Sequence, residues 1–144
     1  YLDLPPMVAS THYMGLARGP PVAHIAFSTR PGMAEARACR LVVMPEWQGA
    51  GVGMRFLNGC CQLWLDGNNR YARPLRTLFH TSHPGLAAAL RRDPKWTQVS
   101  AQLHGGSKVR SRACLQKAMG SDAGTGFGGH LRAVQGFRYL GDGA

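Results

Sequence analysis

Apolar positions recur at two periods along this chain, and the order in which the periods alternate lays out a sheet interrupted by helices. From Pro21 to Thr29 the run Val22-Ala23-His24-Ile25-Ala26-Phe27 is apolar and partly alternating, and Arg30-Pro31-Gly32 ends it with turn chemistry, which predicts a strand. A second strand is expected from Ala36 to Met44. Its Leu41-Val42-Val43-Met44 end has no polar interruption, which predicts burial, and the two strands should pair as a hairpin. Pro45 stops the second strand. Beyond it, Val52, Phe56, Leu57, Cys60, Leu63 and Trp64 fall at helical spacing with one apolar face, and Asp66-Gly67-Asn68-Asn69 closes that helix. Leu75 to Phe79 predicts a short strand. Pro84 to Arg92 predicts a helix with Pro in its first turn and Ser82 or His83 as its cap, and Trp96 to Leu103 and Ala133 to Leu140 predict two more strands. The stretch Thr11 to Gly15 is short and polar and has little core to build.

Composition bounds this outline. A chain of 144 residues with 44% apolar content supports one domain over residues 1–144 and one core. No stretch reaches the roughly 20 apolar residues of a membrane-spanning helix, and no leader with a cleavage site is visible, so the expectation is a cytoplasmic protein with no membrane partner. Cys39, Cys60, Cys61 and Cys114 form no Cys-x-x-Cys pair, so reduced core thiols are expected and a metal site is not. Composition leaves the oligomeric state open, a dimer included. Seventeen basic residues against seven acidic ones give a net charge of +10, and fourteen of the seventeen are Arg. The planar guanidinium fork suits phosphate contact, so a polyanionic partner is expected; service to a cofactor's phosphates is the alternative. Residues 104–130 are glycine-rich and basic, readable as a loop with a short helix near Ala113 to Met119, and Lys108, Arg110, Arg112 and the following Arg132 could track a phosphate backbone.

The stretch most specific in chemistry lies between the second strand and the first helix. A glycine-rich loop there puts backbone N–H groups at the positive end of the helix dipole with no side chain in the way, which makes an anion site. Gly49-x-Gly51-x-Gly53 lacks the spacing of a dinucleotide fingerprint, and no Gly-Lys-Ser/Thr ending makes a P-loop. Gln48-Gly49-Ala50-Gly51-Val52-Gly53, directly behind Arg40 to Met44 and ahead of an amphipathic helix, does resemble the Gln/Arg-x-x-Gly-x-Gly/Ala pattern of the GNAT superfamily, the Gcn5-related N-acetyltransferases. The resemblance implies a single-domain α/β GNAT fold, with a mixed, mostly antiparallel central sheet flanked by helices. It also implies an acetyl-CoA or similar acyl-CoA donor, with the loop Gln48, Gly49, Ala50, Gly51, Val52 and Gly53 on the pyrophosphate and the strand Leu41, Val42, Val43 and Met44 along the pantetheine arm.

More particular wording resembles a narrower branch. Arg40-Leu41-Val42-Val43-Met44-Pro45-Glu46-Trp47-Gln48-Gly49, Thr81-Ser82-His83-Pro84, Phe137-Arg138-Tyr139-Leu140-Gly141 and the early Thr11-His12-Tyr13-Met14-Gly15 are similar to GNAT-like domains related to the phage DNA-modification protein Mom, found alone in phages or fused to an ABC-type ATPase. That resemblance implies DNA as a partner, an ABC-type ATPase as another, and modification of the exocyclic amine of adenine by carbamoylmethylation, which alkylates nitrogen rather than acylating it.

Acyl transfer to an amine calls for a base and for an acid near the leaving thiolate. Many superfamily members use a strand Glu and a helix Tyr, but here Glu46 lies past Pro45 and the helix 84–92 has no Tyr, so that pair does not carry over. The candidates are His12 with Tyr13, Ser82 with His83, and Tyr139. His83 and Ser82 are open to a capping role as well, and Trp47 and Trp96 read as packing anchors rather than base-stacking platforms.

Overall fold

The structure, a computed structural model, describes residues 9–103 and 133–142. In chain order these residues form strands β1 (Thr11–Leu16), β2 (Pro21–Thr29) and β3 (Ala36–Val43), helix α1 (Val52–Leu65), strand β4 (Thr77–Thr81), helix α2 (Pro84–Arg92), and strands β5 (Trp96–Leu103) and β6 (Ala133–Tyr139). One sheet holds all six strands in the order β1-β2-β3-β4-β6-β5, antiparallel at every junction except the parallel β3–β4 pair. The parallel pair follows from the connection: α1 crosses over between β3 and β4, whereas hairpins and insertions join the rest. The single domain with a mixed sheet and helices is the architecture expected from the loop motif.

Strand β1 is an addition to the expected outline. Thr-His-Tyr-Met-Gly-Leu alternates in burial along its whole length and pairs with β2 through Tyr13↔Ile25 and Met14↔His24. Its core contribution is one residue: Tyr13 turns inward, meets the edge of Phe27 and accepts a 3.0 Å hydrogen bond from Trp64 Nε1. Gly15 completes the strand's fit, because a Cβ there would stand 3.2 Å from the Phe56 ring.

Both helices pack on the same face of the sheet. Helix α1 buries Leu57, Cys60, Cys61 and Trp64, a stripe at positions i, i+3, i+4 and i+7. Trp64 stacks on Phe27 with centroids 5.1 Å apart, and the cluster continues through Ala87 and Leu90 of α2 to Phe79, Trp96, Phe137 and Tyr139. Burying polar tips of aromatic residues costs unless they are paired, and here each has a partner. Trp96 Nε1 donates to Asn58 Oδ1 at 2.7 Å, Asn58 Nδ2 donates to Asp93 Oδ2 at 2.8 Å, and the Tyr139 hydroxyl donates to Gln62 Oε1 at 3.0 Å. The same side chains of α1 thereby fix the helix to β5, to β6 and to the end of α2. At the C-terminal end of α1, Gly67 is left-handed at φ 83, its N–H reaches the Trp64 carbonyl, and Asn68 N–H reaches Leu63, which satisfies the last carbonyls as the Asp66-to-Asn69 stop predicted.

The opposite face carries no helix among the described residues. It presents His12, Met14, Leu16, His24, Val42 and His80, with Met14, Leu16 and Val42 each more than half exposed.

Candidate active site

Strands β3 and β4 pair only at Ala36↔Thr77, Arg37↔Leu78 and Ala38↔Phe79, although β3 runs on to Val43 and β4 to Thr81. The reason for the parting lies in β3. Its register against β2 shifts between His24 and Ala26, opposite a bulge in which Arg40 adopts a left-handed φ of 54°. A bulge bends a strand and sharpens its twist, which steers Leu41 to Val43 away from β4. The result is a cleft opening towards the C-terminal ends of two parallel strands, with Cys39 and His80 the first residues beyond the last pair.

The glycine loop closes one end of that cleft. Pro45–Trp47 makes a single tight turn, and Gln48 Nε2 then donates to the Val43 carbonyl at 2.9 Å, tying the loop to the strand it leaves. The Gln48 side chain is therefore spent on the strand, and the loop offers a ligand its backbone. Gly49 at φ 80 and Gly51 at φ 74 hold conformations that side-chain-bearing residues rarely adopt, and a Cβ on either would meet only open space. Gly51 caps α1 without any side-chain hydrogen bond, so the first-turn amides of Val52, Gly53 and Met54 have no capping side chain. Gly53 has the opposite surroundings: a Cβ would stand 3.2 Å from Val43 Cγ2, so glycine lets the helix start lie tight on the strand end. Bare amides, the positive end of the helix dipole (about +0.5 charge) and open approach together make an anion cradle. Of the expected strand residues, Val42 and Met44 are exposed, Val43 lies under Gly53, and Leu41 leans on the core.

The four expected catalytic side chains do not converge. His12 and Tyr13 point to opposite faces of β1; Tyr13 is tied to Trp64 in the core, where burial raises its pKa above the ordinary value. His12 lies on the open face, with Nε2 2.8 Å from Ser10 Oγ and Nδ1 3.0 Å from His24 Nε2, the two rings stacked at 5.2 Å. His83 caps α2: its Nδ1 accepts from Leu86 N–H at 3.1 Å, which leaves the proton on Nε2. Ser82 is half-buried between β4 and that cap. Tyr139 is fully buried under α1. Trp96 is the expected anchor, but Trp47, in the exposed turn before the loop, is 38% exposed and anchors nothing in the core. Lys108, Arg110, Arg112, Arg132 and Cys114 lie outside the described residues. Cys60 and Cys61 are buried as expected, and burial pushes the Cys60 thiol up to about 11.

One residue that sequence reasoning passed over, His80, stands at the cleft, and a second, Ser100, lies in the same row. His80 on β4 and Ser100 on β5 both pair with Gly136 of β6, so the three form one row across the sheet. A Cβ on Gly136 would lie 2.8 Å from His80 Nε2 and closer still to Ser100 Oγ, so both polar atoms lean over the bare glycine. His80 Nδ1 is sealed from solvent without a hydrogen-bond partner. Burial lowers the pKa of His80 from its ordinary value, and the guanidinium groups of Arg37 and Arg30 lower it further. A groove lined by Arg55, Asn58, Gln62, Lys95, Tyr139 and Asp142 lies elsewhere, along α1, and its polar groups pair with one another: Tyr139 with Gln62, and Lys95 Nζ with Asp142 at 2.6 Å.

No model of a known protein family matches the sequence, and no curated protein matches it either. Solved structures do match. A spermidine N-acetyltransferase from Vibrio cholerae, in complex with CoA and spermine, superposes at a TM-score of 0.60 with 11% identity, over 91% of this chain and 65% of that one. This chain has the GNAT fold. The IAA acetyltransferase of Bacillus cereus matches at 0.58 with 15% identity, over 91% of this chain and 77% of its own. The ribosomal-protein-S18-alanine N-acetyltransferase of Escherichia coli matches at 0.57 with 12% identity, over 93% and 70%. The chain thus spans about two thirds to three quarters of the length of these GNAT-fold neighbours.

Proposed function

We propose that this chain is an N-acyltransferase that draws its acyl group from a coenzyme A thioester. The observation that carries the reading is the parting of β3 from β4 directly beside the bare start of α1. The amides from Gly49 to Gly53 would hold the pyrophosphate, and the backbone of Leu41 to Met44, beyond the last pair with β4, would take the amide-bearing arm. The bound thioester supplies an activated acyl carbon. The chain's own part is to orient it: the loop fixes one end, the strand fixes the register, and the apolar side chains of Leu41 and Val43 keep water from that wall. Acetyltransferases among the GNAT-fold neighbours, one of them holding CoA, support the donor class.

Calorimetric titration of coenzyme A tests this directly. The wild-type chain should bind, and Gly51→Asp should weaken binding by about tenfold or more, because it places a carboxylate where the anion sits and strains a left-handed φ. Absence of binding by the wild-type protein at millimolar coenzyme A would end the reading.

A second reading concerns the acceptor. The charge of +10, carried by fourteen Arg and three Lys, favours an amine borne on DNA, in keeping with the resemblance to Mom-like domains. A base within a duplex would have to be flipped out to reach the cleft. Mass analysis of nucleosides from the DNA of cells expressing the active chain is the test: a modified deoxyadenosine is expected, and an unmodified profile sinks the DNA acceptor while leaving the acyltransferase reading intact.

A further inference from the structure

We propose that His80 is the base that takes the proton from the acceptor amine, on the open face beside Gly136 and Ser100; the proposal rests on the acyltransferase reading above. The place argues for it first. His80 is the first β4 residue beyond the last β3–β4 pair, so it stands at the vertex of the cleft. Its side chain shares the face of Arg37 and Leu78 parity rather than the helix-covered face of Phe79, and the covered face is filled by Leu57, Trp64, Phe79 and Trp96. An acceptor can therefore approach the vertex only across the open face.

The other imidazoles among the described residues are engaged. His12 and His24 bond to each other, with Ser10 on the far side of His12, and their strands lie on the other side of β3 from β4. His83 spends Nδ1 on the α2 cap. His80 alone of these has its buried Nδ1 unpartnered, while its Nε2 edge and Ser100 Oγ lean into the space above Gly136. Any side chain at position 136 would collide with both, so the glycine is what lets His80 and Ser100 take these positions.

The groups facing His80 set its protonation. Arg37 from β3 and Arg30 from the end of β2 are cationic; Cys39, also of β3, is kept a neutral thiol by burial, which raises its pKa; Ser100 from β5 is uncharged; Glu35 is engaged by Arg30 at 3.3 Å and Arg138 at 2.7 Å. With cations near and Glu35 already paired, the ring is neutral at neutral pH and has a lone pair to accept a proton. In the step, the acceptor N–H bond breaks, its electron pair serves the new N–C bond, and its proton goes to Nε2. The electron pair of the cleaved C–S bond leaves on sulfur, and the imidazolium returns its proton to water before the next turnover.

The test combines binding, titration and rate. His80→Gln should keep coenzyme A affinity within about twofold by calorimetry and lower kcat by about 10²–10⁴-fold. In the coenzyme-free protein, the imidazole resonance lost in H80Q identifies His80; its NMR titration midpoint should lie below that of an ordinary histidine and rise in Arg37→Gln. The sign follows from the charge: removing a cation makes protonation easier, so in R37Q the acid limb of the kcat/KM profile should move to higher pH with the NMR midpoint. If H80Q turns over within a few-fold of wild type, or the acid limb ignores R37Q while the resonance moves, His80 is not the base. Failure of wild-type coenzyme A binding would instead remove the reading beneath it.

Discussion

The two faces of the sheet divide the labour of the molecule. On the covered face every large aromatic has a packing partner, and the buried Trp and Tyr tips are hydrogen-bonded to Asn58, Gln62 or one another. On the open face lie His12, His24, His80 and Arg37, with Met14 61% and Leu16 62% exposed among them. The contrast teaches that alternation along one strand can send adjacent residues to different surroundings: His12 and Tyr13 are neighbours in sequence, yet Tyr13 packs in the core and His12 lies on the open face.

Mutations should break this comparison unequally. Trp64→Ala removes the ring stacked on Phe27 and the donor to Tyr13, and should cost about 3–5 kcal/mol in urea unfolding. A loss below 1 kcal/mol, on the order of an average point mutation, would mean the covered face is not what holds the fold. Asn58→Ala leaves Trp96 Nε1 and Asp93 without their partner and should cost about 1–3 kcal/mol by the same measurement. Met14→Ser, on the open face, should stay within about 0.5 kcal/mol of wild type, and a larger loss would show that something covers that face in solution.

Much of the fold was legible because its elements obey local rules. The stripe 57, 60, 61, 64 has helical period, Pro84 and His83 mark the start of α2, and Gly67 marks the end of α1. Strand β1 was hidden by its polarity: its period-two signal is present, but Thr, His and Gly dilute it, and Tyr13 alone earns its inward face. Trp47 shows the reverse error, since an aromatic type argues for burial while Pro45 forces the turn that exposes it. The bare start of α1 could be read from the glycine loop because its features are backbone and contiguous. His80 could not, because its meaning comes from Gly136, 56 positions later, and from Ser100 on a third strand.

The three-residue ladder between β3 and β4 has a further consequence. It makes the protein two half-sheets, β1-β2-β3 and β4-β6-β5, stitched at one end and braced by α1 beneath. The margin of β3 beyond its last pair with β4 is an edge in the middle of a sheet, and an amide-bearing chain laid along Leu41 to Val43 would act as a missing strand. Occupancy should then be visible in the backbone itself, as slowed amide hydrogen exchange of Leu41 to Val43, so that the ligand completes the architecture as well as filling the site.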